Sequence, residues 1–434
     1  FLFLIEIFYL LFLKNLNQQL HLESVCIPSE RETLLKFKNN LNDSSNRLWS
    51  WNHNHTNCCH WYGVLCHNVT SHLLQLHLHT SDYANWEAYR RWSFGGEISP
   101  CLADLKHLNY LDLSGNLFLG EGMSIPSFLG TMTSLTHLDL SDTGFRGKIP
   151  PQIGNLSNLV YLDLAYAANG TVPSQIGNLS NLVYLVLGGH SVVEPLFAEN
   201  VEWVSSMWKL EYLDLSYANL SKAFHWLHTL QSLPSLTLLC FYSPAISFVP
   251  KWIFKLKKLV SLQLHGNEIQ GPIPCGIRNL TLIQNLDLSG NSFSSSIPDC
   301  LYGLHRLKSL EIHSSNLHGT ISDALGNLTS LVELHLSNNQ LEGTIPTSLG
   351  NLTSLFALYL SYNQLEGTIP TFLGNLRNSR EIDLTILDLS INKFSGNPFE
   401  SLGSLSKLST LLIDGNNFQG VVNEDDLANL TSLK

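Results

Sequence analysis

Two stretches of this chain repeat one 24-residue pattern: LTHLDLSDTGFRGKIPPQIGNLSN at 135–158 and LVELHLSNNQLEGTIPTSLGNLTS at 331–354. Starts of the same pattern fall at Leu73, Leu108, Leu135, Leu159, Leu182, Leu210, Leu236, Leu259, Ile283, Leu307, Leu331, Leu355, Leu384 and Leu408, giving about 14 units. Another begins at Leu433, one residue before the last. A period of this size forbids one large compact core. Each unit is too small to bury its own apolar face and must bury it against its neighbours. All 434 residues are therefore expected to stack as one row of units rather than to divide into several ordinary domains.

The L-x-x-L-x-L core and its period identify leucine-rich repeats. Alternation in x-L-x-L predicts a short strand with leucines inward and the x residues outward. The expected fold is an α/β leucine-rich repeat solenoid, a curved and twisted parallel-sheet arc with an N-terminal disulfide cap. At about 4.8 Å per strand, the sheet would run roughly 65 Å. Asn116, Asn267, Asn291, Asn339, Asn363, Asn392 and Asn416 share one register after the strand. An inward Asn there can bond backbone groups where the chain leaves the sheet, so a buried ladder is expected. The later G-x-I-P string, as at 343–346 and 367–370, predicts a tight turn and a short second line of pairing. The LGNL segment after it predicts a 3₁₀ or helical turn.

The chain opens on FLFLIEIFYLLFL, too short for a membrane span of about 20 residues. Residues 1–25 read as the apolar part of a secretory signal peptide and a short leader, lacking the start, rather than as a buried terminal strand. Four of the eight cysteines, Cys26, Cys58, Cys59 and Cys66, lie in the next, non-repeating segment, 26–72. Four cysteines allow three pairings. Cys26–Cys58 with Cys59–Cys66 is the expected one, in preference to a zinc site using His60 and His67. Ser29 and Glu32 match a helix capping box. Leu34, Leu35, Phe37, Leu41, Trp49 and Trp51 supply an apolar face to close the first repeat. Cys101, Cys275 and Cys300 show no obvious partner, and Cys240 reads as a free thiol. N-x-S/T sequons begin at Asn42, Asn54, Asn68, Asn155, Asn169, Asn178, Asn219, Asn279, Asn327, Asn351 and Asn429, each a glycan candidate in a secreted chain.

The outward strand positions offer the expected recognition surface. One column reads Tyr110, His137, Tyr161, Tyr184 and Tyr212, and a further one adds Tyr166 and Tyr217. Aromatics beside strand carboxylates suit protein or glycan contacts, and the alternative reading is that the stacked tyrosines simply pack against each other. The intervening Asp112, Asp139, Asp163 and Asp214 read as repeat consensus that keeps the sheet soluble. The first repeat, 73–107, is long and carries Tyr83, Trp86, Tyr89 and Trp92, which read as folding over the cap, with contact to a ligand as the alternative. The net charge of −11 disfavours nucleic acid as a partner. Eighteen histidines are scattered with no HExxH or other coherent metal motif, and neither a nucleophile elbow nor a P-loop is present. Strand carboxylates recur at every unit, whereas a catalytic pair is singular. No enzyme activity, cofactor or metal is expected.

CIPSERETLLKF at 26–37, Trp49-Ser50-Trp51, CCHWYGVLC at 58–66 and the LDLSGN and GTIPxxLGNL strings resemble the plant extracellular leucine-rich repeat family over residues 26–434. The cap and GGEISPCLADLKHLNYLDLSGN are similar to receptor-like proteins that perceive fungal xylanase and related elicitors. The resemblance implies a cell-surface receptor ectodomain for a protein or peptide ligand, signalling through a co-receptor kinase. A membrane would be met only through a C-terminal helix and tail beyond Lys434, since the repeats (73–434) break off mid-unit. Localisation would be the secretory pathway and the cell surface, or the apoplast for the chain as it stands. The alternatives are a secreted inhibitor of microbial polygalacturonase and the ectodomain of a receptor kinase.

Overall fold

The computed structural model describes residues 25–81, 85–188, 196–198, 201–219, 230, 233–242, 246–371, 384–402, 405–421, 427–428 and 430–434. The apolar run at 1–24, Tyr83 and Asn429 lie outside these residues. The chain divides into two compact units, 1–161 and 162–434.

In the first unit the helix Pro28–Lys38 buries Leu34 and Phe37 against Trp51. The expected capping box is not used. Pro28 occupies the first turn, where its missing N–H costs nothing. Ile27 is the cap residue and makes no side-chain cap bond. Ser29 therefore lies inside the helix. Cys26 pairs with Cys58 and Cys59 with Cys66. Trp51 stacks on Trp61 at 5.7 Å, but Trp49, expected in the core, is 61% exposed. Strand Val64–Cys66 runs antiparallel to Leu73–His77. From there pairing is parallel, through Tyr110–Asp112 to His137–Asp139. The inserted stretch of the first repeat forms a helix, Trp86–Trp92, with Asn85 accepting from Ala88 N at its start. Its Tyr89 hydroxyl donates to Gly115 O at 2.7 Å.

In the second unit every strand of the main sheet is parallel and in one register. The central leucines pair in line: Leu185, Leu213, Leu239, Leu262, Leu286, Leu310, Leu334, Leu358, Leu387 and Leu411. One repeat shows what this does. Leu331, Leu334, Leu336, Leu341, Ile345, Leu349 and Leu352 are all essentially out of solvent, and burying each stabilises by about 2 kcal/mol. The second line of pairing expected at G-x-I-P joins Gln340–Gly343 to His318–Thr320 and to Gln364–Thr368. Gly343 has φ +78° there, a value that favours glycine. LGNL segments form 3₁₀ turns, as in Thr347–Asn351, where Leu352 N donates to Leu349 O at 3.0 Å.

The Asn ladder forms as expected. Asn291 Nδ2 donates to Leu264 O, Leu288 O and Ser289 O, while its Oδ1 accepts from Ile269 N. Asn267, Asn363, Asn392 and Asn416 repeat the three donations one unit at a time. Where the register lacks Asn, Ser315 bonds Leu288 O with its hydroxyl.

One covalent link differs from the sequence reading. Cys275 and Cys300, unassigned there, form a disulfide between successive 3₁₀ turns, Cys275–Asn279 and Asp299–Gly303. They are 25 residues apart, one repeat plus one, so stacking brings them together. Closing a loop of that length constrains the unfolded chain by about 3.5 kcal/mol. The double change Cys275→Ser/Cys300→Ser is expected to lower the urea unfolding midpoint of the second unit by a matching amount, read by circular dichroism.

Candidate functional site

Alternation along each strand turns the x residues outward, so a fixed repeat position becomes a column of side chains at the strand spacing. In the first unit this column is a continuous aromatic stack. His77 lies on Tyr110 with ring centroids 4.3 Å apart, Tyr110 on His137 at 3.9 Å, and His137 on Tyr161 at 4.0 Å. The last two pairs are within 14° of parallel. All four rings are half-buried by their neighbours, leaving their edges to solvent.

Burial in the stack, helped by the nearby His77, pushes the His137 imidazole down to about 3, so it is neutral at ordinary pH. The next column holds Asp112 and Asp139 directly opposite each other. Burial, then the charge of Asp112, pushes the Asp139 carboxyl up to about 6. Ser141 opposes this by donating its N–H and hydroxyl to Oδ1 at 2.9 and 2.6 Å. The same Asp-Ser geometry recurs at Asp112–Ser114, Asp287–Ser289 and Asp388–Ser390. These aspartates thus fix the strand exit, a bonding role beyond the solubilising consensus read for them.

In the second unit Tyr184 stacks on Tyr212 at 4.1 Å. Burial and the adjacent Asp214 push the Tyr212 phenol up to about 12. Tyr166 and Tyr217 are not on strands. They occupy the strand-exit turn with φ +58° and +61°, where an L side chain is strained. Tyr217 packs against Tyr242 with ring centroids 4.3 Å apart and planes tilted by 45°, a contact the sequence reading missed because the unit at 236–258 has lost the LDLS pattern. Cys240, in the Asp column, is buried; its thiol donates to Gln263 Oε1 at 2.9 Å and is pushed up to about 12 by burial and Asp214.

Further along the same face stand His265, Glu311, His313, His335 and Tyr359. His265 Nδ1 lies 3.3 Å from Asp287 Oδ2 and its imidazole is raised by that bond. His313 and His335 stack at 4.3 Å, and burial lowers both, His335 to about 4. Burial, with Asp287 and Glu333, raises the Glu311 carboxyl.

The sequons lie off this face. Asn155, Asn178, Asn279, Asn327 and Asn351 each end a 3₁₀ turn and are exposed. Asn42, Asn54 and Asn68 are exposed in the cap segment, while Asn169 and Asn219 are half-buried.

Residues 198–434, more than half of the chain, match the leucine-rich repeat region family. Residues 27–67 match the leucine rich repeat N-terminal domain and 134–156 a leucine rich repeat. Receptor-like protein EIX1 of Solanum lycopersicum is 32% identical over 218 residues, 49% of this chain and 18% of that protein. Receptor-like protein EIX2 of the same plant is 40% identical over 130 residues, 30% of this chain and 12% of that protein. The chain thus spans less than a fifth of either relative's length. Among solved structures, the plant peptide hormone receptor RGFR1 in complex with RGF2 is similar with a TM-score of 0.62 and 30% identity, over 87% of this chain and 55% of that one. PEPR1 with AtPEP1 gives 0.64 and 28%, over 94% and 58%. Among the described residues no helix is long and apolar enough to cross a membrane.

Proposed function

Because the chain belongs to the leucine-rich repeat family, we propose that it is the extracellular ligand-binding part of a plant cell-surface receptor, recognising a protein or peptide and signalling through a partner receptor kinase. It is a binding module and not an enzyme. The observation that carries this reading is the outward aromatic column, pre-stacked and flanked by carboxylates. Stacked rings lose little freedom when a ligand lands on them, which favours binding. The glycan candidates at the 3₁₀ turns leave the column clear. The similar receptors include two whose solved structures hold RGF2 and AtPEP1, which makes a peptide the leading ligand class for this chain.

Selection of a random peptide library on the secreted, glycosylated chain tests the surface. Peptides enriched on the second unit are expected to lose about 30-fold in affinity when Tyr184 and Tyr212 are both changed to Ala, the size of a hot-spot loss of about 2 kcal/mol. Unchanged affinity of every enriched peptide, with the fold intact by circular dichroism, rejects this surface.

A further inference from the structure

Three donor side chains converge at one point on the outward face of the second unit. Glu311 ends the strand Ser309–Glu311, and His313 follows two residues on, on the same side. The parallel register sets His335 of the next strand directly opposite Glu311. Their ligating atoms, one from each residue, all lie within 4.8 Å of one another. All three side chains are half-buried, so neighbours restrain them while solvent still reaches them. Tyr359 packs on His335 at 4.8 Å from the following strand, and Asp287 stands opposite Glu311 on the preceding one. With Glu333 on the strand of His335, the surroundings are negative.

We propose that Glu311, His313 and His335 form a binding site for a divalent transition-metal ion of the zinc type. Two imidazoles and one carboxylate suit zinc or copper, whereas calcium and magnesium prefer all-oxygen shells. Three protein donors leave a fourth tetrahedral position open, and here that position faces solvent on the sheet surface. A zinc ion with ligands at about 2.1 Å needs donors roughly 3.4 Å apart. The donors here lie within 4.8 Å of one another, and the two imidazoles stack 28° from parallel instead of aiming at one point. Binding an ion there requires rotation of one ring about its last side-chain bond, so that both imidazole nitrogens aim at it. His313 Nδ1 would exchange its 3.3 Å contact with Ser314 Oγ for the ion. The strands that set the Glu311–His335 pairing need not move. The nearby Asp287 and Glu333 carboxylates favour a dication.

Isothermal titration of the chelator-stripped, folded chain with Zn²⁺ alone tests the site. One equivalent is expected to bind with micromolar affinity. His335→Asn and His313→Asn are each expected to weaken it at least about 30-fold, within the range seen when a metal site loses a ligand or its support. Glu311→Gln should weaken it about tenfold, and the cap control His60→Asn not at all. Electron paramagnetic resonance of the unmodified chain with one equivalent of Cu²⁺ should show two imidazole nitrogens, and this needs no substitution. No zinc binding at millimolar concentration, or equal binding by the His313→Asn/His335→Asn double variant, overturns the proposal. So does the lack of a two-nitrogen copper signal.

Discussion

Replacing Asn291 by Ala is expected to destabilise the second unit by about 4 kcal/mol, a very large effect for a polar residue. The side chain is 5% exposed and makes four bonds to backbone. Three backbone carbonyls lose a donor and one N–H loses its acceptor. Each buried group left without a partner costs about 1–3 kcal/mol, offset in part where a second bond survives or water enters. Asn291→Asp should be no better, because it points carboxylate oxygen at carbonyls that need an N–H. The loss should also be local, since a repeat touches only its neighbours. Hydrogen exchange is the measurement. Amides at 264–269 and 288–292 should lose protection far more than those of distant repeats. Uniform loss along the unit, or a change below 1 kcal/mol, would refute the ladder's structural role.

A second large loss is expected for Arg47→Ala, about 4 kcal/mol, in the first unit. Arg47 is 8% exposed. One guanidinium nitrogen donates to Thr80 Oγ1 and Trp92 O at 2.7 and 2.8 Å, and another to the Tyr62 hydroxyl and His79 O at 2.8 and 2.6 Å. Its plane lies 4.2 Å over Phe94 and 5.3 Å from the Tyr62 ring. None of those guanidinium bonds goes to a carboxylate. A buried cation is instead held by oxygens and aromatic faces. Truncation removes a charge-assisted network and leaves a cavity at the junction of the cap, the first strand and the helix Trp86–Trp92. Lysine is no substitute, because its ammonium cannot span four acceptors or stack; about 2 kcal/mol of loss should remain in Arg47→Lys. Urea unfolding followed by tryptophan fluorescence reads both, since Trp51 and Trp61 are buried beside this network. An Arg47→Lys variant as stable as the parent would show that only charge matters there.

Most of the fold was legible because it is periodic. From Leu108 onward, each strand of the main sheet begins two residues after a repeat start read from the sequence, as Leu331 precedes Glu333. The Asn register was legible for the same reason. What periodicity does not encode was missed. Arg47 sits in a segment without a repeat, and nothing in its neighbours signals four acceptors arriving from residues 62–92. The cap helix starts two residues earlier than the capping box implies because Pro28 sets its first turn. The Cys275–Cys300 pair carried a usable signal, a separation close to one period, but it was masked by an offset of one residue between the two turns. At the candidate site the columns were readable, but the meeting of Glu311, His313 and His335 was not. It depends on which repeat lies next to which and on where rings come to rest.

The Asn bonds bear on how such a chain can change over generations. Each ladder Asn of the second unit binds carbonyls of its own repeat and one carbonyl of the repeat before, as Asn363 does with Leu360, Ser361 and Leu336. Every Asn-bearing copy therefore brings the donor for its own joint and presents an acceptor for the next. A recombination event that adds or deletes one whole repeat leaves both new neighbours with matched partners, whereas a shift by part of a repeat strands them. Heritable variation in length is thus steered toward whole units, and the outward columns can be lengthened, shortened or reshuffled while the interior stays satisfied.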